Sequence, residues 1–80
     1  MRATVLVRPK PGILDPQGQA VSTSLRHLGF DVAETRVGRV IDVDLATEDR
    51  DAARGELERM CEQLLTNPLI ESYEIAFPDA

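Results

Sequence analysis

The side chains most often used in enzyme catalysis are few in this sequence, and none has the neighbours that catalysis requires. Cys61 lies between Leu57 and Leu64 on an apolar helical stripe, where a thiol is expected to be buried and unreactive. His27 is the only histidine, and the sequence supplies it with neither a nucleophile nor an orienting group. A charge–dipole contact at a helix end is its expected role. We therefore predict that the chain has no catalytic residue.

Asp42 and Asp44 are the residues best spaced to bind a cation. They stand two positions apart, on one face of a predicted strand, and they could also act as paired carboxylates. Exposed acidic residues alternating with apolar ones explain them more simply. The single cysteine and single histidine give no metal-binding spacing. We therefore predict neither a metal site nor a cofactor in this chain.

Two arginines flank a glycine in the stretch Arg36–Arg39. If Gly38 supplies a tight turn, the guanidinium groups of Arg36 and Arg39 could bind a carboxylate or a phosphate from a partner or ligand. The alternative is an ordinary exposed hairpin whose charges keep the protein in solution. The residues alone favour this second interpretation.

The stretch Leu14–Gly18 is typical of a junction between a strand and a helix. The carboxylate of Asp15 can accept a hydrogen bond from the amide of Gln17 or Gly18 and so cap the helix. Pro16 then takes the first helical position, where its missing N–H costs nothing. These residues predict a helix that begins at Pro16.

Gly18 is not explained by capping. Glycine is about 1 kcal/mol worse than alanine in a helix, so its presence suggests that a neighbouring chain approaches the backbone closely. Gly18→Leu is then expected to leave the fold nearly intact and to weaken assembly. The predicted partner contacts are Asp15, Gln17, Gly18, Arg36, Gly38 and Arg39.

The composition is that of one small globular domain over residues 1–80, with 42% hydrophobic and 29% charged residues. With no Trp, one Tyr and two Phe, the core is small, and self-association or docking onto a larger partner is expected. The net charge of −5 argues against nucleic-acid binding. The apolar runs are too short to cross a membrane, and no signal peptide is recognisable. A cytoplasmic location is expected.

Apolar periodicity and turn residues predict an α+β fold with the order β-α-β-β-α-β. This order indicates a ferredoxin-like fold, in which two helices cover one face of a four-stranded antiparallel sheet. The second and third strands are predicted to form a hairpin, and the first and third to be central. The second helix is predicted to begin near Thr47 or Asp49 and to end at Asn67, and the other elements are Arg2–Arg8, Pro16–Leu28, Phe30–Val37, Arg39–Leu45 and Ile70–Phe77.

Several strings, in this order, resemble the PurS family, the small subunit of bacterial and archaeal phosphoribosylformylglycinamidine (FGAM) synthase. The resemblance spans nearly the whole chain, and its first and last strings are the most specific. Arg39 departs from it mildly, since lysine is the commoner residue there. The strings are Leu14–Gly18 with Ala20-Val21, Arg36–Arg39, Met60–Glu62 with Leu64-Leu65, and Asn67–Tyr73.

The resemblance implies a ferredoxin-like subunit that forms a dimer, or a tetramer, through its sheet. It implies two partners, a glutaminase subunit and a large synthetase subunit that binds ATP and Mg²⁺. The complex converts formylglycinamide ribonucleotide, glutamine and ATP into formylglycinamidine ribonucleotide, glutamate, ADP and phosphate (EC 6.3.5.3). The small subunit carries neither the glutaminase cysteine nor the ATP site; it bridges the other two subunits and supports ammonia transfer between them.

Two other functions are open from the sequence. A regulatory domain of the ACT type shares the ferredoxin-like fold and binds a small ligand, such as an amino acid, at its dimer interface. A stand-alone enzyme is the third possibility, which the poor supply of catalytic groups disfavours. Binding of a free amino acid without partner subunits would indicate the regulatory domain, and turnover by the purified chain would indicate the enzyme.

Overall fold

The structure, a computed structural model, describes residues 1–78. Its strands and helices follow one another as strand, helix, strand, helix, strand. A π-helical turn, Cys61–Leu65, extends the second helix. The bounds are β1 Arg2–Pro9, α1 Pro16–His27, β2 Arg39–Asp44, α2 Arg50–Met60 and β3 Glu71–Ala76.

The three strands form one antiparallel sheet with β1 in the middle, in the order β2-β1-β3. Val5 of β1 lies opposite Ile41 of β2 and Ile75 of β3. This is the ferredoxin-like arrangement without one of its edge strands, so the predicted fold class is confirmed. Neither helix in the described part of the chain has the length and apolar character needed to cross a membrane.

The segment Phe30–Val37 is not the strand that its alternation predicted, and it forms no hairpin with β2. This stretch, called the returning segment below, runs back along α1. There the guanidinium of Arg26 donates to the carbonyl oxygens of Val32 (2.9 Å) and Ala33 (3.0 Å). A side chain of α1 therefore takes up backbone acceptors that a sheet would use. As a result the described sheet has three strands, and β2 is an edge strand, so the prediction that this strand is central is wrong.

The core lies between one face of the sheet and α2. Its fully buried residues in the sheet are Ala3, Val5 and Val7 of β1, the set that the sequence placed on one face. Alternate side chains of β2 and β3, among them Ile41 and Ile75, pack against this core. The other buried apolar residues are Ala53, Leu57, Cys61 and Phe77.

The second helix begins as predicted and ends differently. The Asp49 carboxylate caps it by accepting hydrogen bonds from the amides of Asp51 and Ala52. At its other end the π-helical turn, with its i→i+5 hydrogen bonds, takes one more residue per turn than an α-helix. The face turned to the core therefore shifts by a residue, so Leu65 packs against the core whereas Leu64 is 84% exposed. The expectation that Leu64 lies on the buried stripe is therefore wrong.

Helix α1 has the predicted bounds to within one residue but not the predicted packing. Its end is set by Gly29, whose φ of 98° fits the left-handed position that terminates helices. None of the apolar side chains of α1 belongs to the buried core, and Val21 and the C-cap residue Leu28 are 37% and 74% exposed. The core face is thus covered by α2, and α1 with the returning segment lies outside that core.

Candidate docking site

The Asp15 carboxylate joins the start of α1 to the chain entering β2. One oxygen accepts a hydrogen bond from the Gly18 amide at 3.0 Å, which is the predicted cap. The other oxygen accepts from the Val37 amide at 2.9 Å. One side chain therefore fixes two segments that are 22 residues apart in sequence.

Both hydrogen bonds favour the charged carboxylate. The bond from Val37 contributes most, followed by the bond from Gly18, and together they hold the pKa of Asp15 below its ordinary value of 3.8. A lowered folded-state pKa means that the contact stabilises the fold above the ordinary pKa. This contribution is lost as the pH falls through the lowered value.

Gly18 is required by a close approach within the chain. It is buried in the first turn of α1, and a Cβ atom there would overlap the carbonyl oxygen of Thr35 in the returning segment. A close approach of backbone was correctly inferred from the sequence, but Thr35 of the same chain makes it. The expectation that Gly18→Leu leaves the fold nearly intact is therefore wrong.

Arg36 binds the loop that precedes α1. Its guanidinium donates to the carbonyl oxygen of Lys10 at 2.9 Å and to that of Ile13 at 3.4 Å, and it pairs with Glu34 at 3.3 Å. Its side chain is 33% exposed. Most of its hydrogen-bonding capacity is therefore engaged within the chain.

Arg39 forms a two-oxygen ion pair with Glu71 at the start of β3. The distances are 2.7 and 3.1 Å, and the same guanidinium donates to the carbonyl oxygen of Leu65 at 2.7 Å. The ion pair, followed by a hydrogen bond from the Asn67 amide, holds the pKa of Glu71 below its ordinary value of 4.5. The carboxylate that Arg39 was predicted to bind is thus supplied by the chain itself.

The predicted tight turn at Gly38 is not formed, and Gly38 has a different role. A Cβ atom on Gly38 would overlap the carbonyl oxygen of Val7 in the central strand. The glycine therefore lets the chain pass close to β1 as it enters β2. Gly38 was correctly singled out from the sequence, but the tight turn that was predicted to explain it is wrong.

These contacts surround a groove between the start of α1 and the start of β3. Its lining includes Leu14, Gln17, Arg39, Ile70 and Glu71. Leu14 is 69% exposed and Ile70 is 41% exposed. The groove brings together residues of the two most specific strings of the sequence, and its lining residues Gln17 and Ile70 lie more than fifty positions apart. Sequence reasoning missed Ile70 and Glu71, because no local pattern links them to Leu14 or Arg39.

Two of the residues considered for catalysis, Cys61 and Asp42, lie where the sequence placed them. Cys61 is fully buried, and burial, with smaller effects of Glu58 and Glu62, raises the pKa of its thiol. Asp42 is exposed on the open face of the sheet and accepts a hydrogen bond from the Thr4 hydroxyl at 2.8 Å. Within residues 1–78, no three metal-binding side chains of the His, Cys, Asp or Glu type come together.

The fold and the groove together define a small ferredoxin-like domain whose polar junction at Asp15 is held by hydrogen bonds within the chain and whose apolar surface is partly uncovered. The model of the PurS family of FGAM synthase matches residues 2–79. The chain therefore belongs to the PurS family, a subunit of FGAM synthase in purine biosynthesis. The enzyme class is EC 6.3.5.3, which is given for the PurS subunit of Thermotoga maritima.

Individual relatives agree with this assignment. The FGAM synthase subunit PurS of Methanocaldococcus jannaschii is 39% identical over 75 residues, which are 92% of this chain and 90% of the relative. The crystal structure of that protein superposes with a TM-score of 0.82, covering 94% of this chain and 92% of that one. The structure of PurLQS from Thermotoga maritima includes a chain that is 29% identical, with a TM-score of 0.84 and coverage of 94% and 93%.

A pair of glycine substitutions tests the close approach at Gly18. Gly18→Ala should destabilise the fold by about 1–3 kcal/mol, because the added Cβ overlaps the Thr35 carbonyl and forces a backbone shift. Gly55→Ala is the matched control in α2, where the nearest atom is the Arg59 guanidinium at 3.7 Å. It should stabilise the fold by about 0.5–1 kcal/mol. Urea unfolding at equal protein concentration measures both, and stabilisation by both substitutions would contradict the assignment.

Proposed function

We propose that this chain is the non-catalytic subunit that bridges the glutaminase and the ATP-dependent synthetase of FGAM synthase. The observation that carries the proposal is a structural match to one chain of the Thermotoga maritima PurLQS structure. The match covers 94% of this chain. Burial of Cys61 agrees with it, because a glutaminase nucleophile must reach its substrate. The complex is proposed to act in the cytoplasm.

In the bridging role, this chain holds the glutaminase and synthetase active sites in a fixed position relative to each other. Ammonia released by the glutaminase must meet the activated amide in the synthetase before it escapes into water, so the two subunits must be fixed relative to each other. In this proposal ATP and Mg²⁺ bind to the large subunit, and this chain contributes position and shielding. It needs no cofactor of its own for that task.

The groove beside α1 is the proposed contact for the larger subunits. Leu14 and Ile70, which line the groove, are 69% and 41% exposed, and apolar side chains exposed next to each other are typical of an interaction surface. Gln17 is exposed beside them, and Arg39 remains 49% exposed after pairing with Glu71.

The other predicted contact residues are proposed to act in two different ways, either by direct contact or by holding the shape of the groove. Arg36 and Gly38 reach the surface next to the groove, so we propose them as contacts as well. Asp15 and Gly18 are proposed to act by holding the groove in shape, since the carboxylate is satisfied within the chain and the glycine is buried.

Reconstitution of the enzyme tests the bridging role. Glutamine-dependent formation of formylglycinamidine ribonucleotide should require all three chains, whereas synthesis from added ammonia should depend on this chain much less. Undiminished glutamine-dependent turnover without this chain would contradict the proposal. Binding of a free amino acid to this chain by calorimetry, in the absence of the other subunits, would instead indicate the regulatory domain.

Self-association through the sheet is the second part of the proposal. The face of the sheet opposite the core has no helix over it among residues 1–78, and Leu6 of β1 lies on that face opposite Val40 of β2. Val40 is 65% exposed. A second copy placed on this face would bury both apolar side chains, and so it would enlarge a core that is small for an 80-residue chain.

Val40→Lys tests the sheet interface. The side chain is exposed in the single chain, so the fold should be retained, but a charge at the centre of the interface should dissociate the dimer. Leu64→Lys is the control, since Leu64 is 84% exposed and lies on the π-helical turn away from that face. Sedimentation should show a loss of dimer with Val40→Lys only. Equal masses for the two variants would contradict the interface.

A further inference from the structure

We infer that Arg50 and Arg54, which stack on Phe77, form a docking site for an acidic segment of another subunit. This inference rests on the proposed function, because it takes the other subunits of FGAM synthase as the partners. The guanidinium carbons lie 5.2 and 5.3 Å from the centre of the same ring. Both arginines are exposed, while the ring beneath them is only 8% exposed.

The two charges are not used by the described part of the chain. Among residues 1–78, neither guanidinium forms a salt bridge or a side-chain hydrogen bond, in contrast to Arg8, Arg36 and Arg39, which pair with carboxylates. The chain has fourteen acidic and nine basic residues. Two cations that meet over one ring and have no acidic partner among residues 1–78 are therefore an unusual feature of an acidic protein.

The position of the two arginines in α2 is also unusual. Arg50 is the first residue of α2 and Arg54 is one turn later, at the end of a helix where the dipole favours acidic residues. The local acid Asp49 has its carboxylate turned to the amides of Asp51 and Ala52. The cation–π contacts with Phe77 offset the unfavourable position of the arginines and fix where their guanidinium groups lie.

The geometry suits a carboxylate. An arginine that stacks on a ring uses the face of its guanidinium and keeps the N–H groups at its edges for hydrogen bonds. Those edges match the two oxygens of a carboxylate. A nucleic acid is disfavoured because the chain carries a net charge of −5. A short acidic stretch of a protein surface is the partner that this pair fits.

The affinity of the purified chain for the glutaminase and synthetase subunits tests the inference. Replacing both residues, Arg50→Gln with Arg54→Gln, should lower that affinity about tenfold or more by calorimetry, because the charge-assisted hydrogen bonds to the partner's carboxylates are lost. The salt dependence of binding should decrease as well. The control, Arg59→Gln, removes a positive charge from an exposed position of the same helix whose guanidinium is not stacked on Phe77, and it should bind like the original chain.

A second variant keeps the test independent of folding. Arg50→Lys with Arg54→Lys retains both charges and the cover over Phe77 but loses the two-pronged geometry, so its affinity should fall measurably. Unchanged affinity in the Lys variant, or equal losses in the Gln variant and its control, would overturn the docking site while leaving the bridging role intact. Failure of the original chain to bind either subunit would overturn the bridging role itself.

Discussion

The structure depends on the pair of hydrogen bonds that the Asp15 carboxylate accepts. One bond caps α1, and the other holds the Val37 amide just before the chain enters β2. The returning segment is thereby kept beside α1, close enough that Gly18 cannot carry a side chain. Since this segment leads directly into β2, the same contact sets where Arg36, Gly38 and Arg39 meet the sheet. The groove beside α1 is a consequence of this one junction.

Using the returning segment in this way leaves much of the molecule uncovered. The described chain measures 48 × 27 × 14 Å, and its thinnest dimension leaves little room beyond a sheet and one layer of helix. The edge of β2 and the second face of the sheet lack a covering element within residues 1–78, and Leu28 at the end of α1 is 74% exposed. Such surface is costly in an isolated domain. The proposed contacts with the larger subunits and with a second copy of this chain would cover it.

Elements set by neighbouring residues could be predicted from the sequence. The Asp15 cap needs only a few residues to form and was correctly placed, and Asp49 was one of the two residues expected to start the second helix. The first helix was expected to end at Leu28 and ends at His27. Phe30–Val37 was predicted wrongly, because its alternation suits a strand and its actual path is decided by side chains of α1. Arg39 and Glu71 are 32 residues apart, so no local pattern could reveal their ion pair.

Hydrogen exchange at the Val37 amide tests the central junction most directly. Asp15→Asn keeps an oxygen for the Gly18 amide, but its NH₂ group cannot accept a hydrogen bond from Val37. If Asp15 holds this junction, the Val37 amide is protected in the original chain and exchanges about tenfold faster in Asp15→Asn, while the amides between β1 and β2 stay protected. An unprotected Val37 amide in the original chain, or one whose exchange is unchanged by Asp15→Asn, would show that Asp15 does not hold the junction.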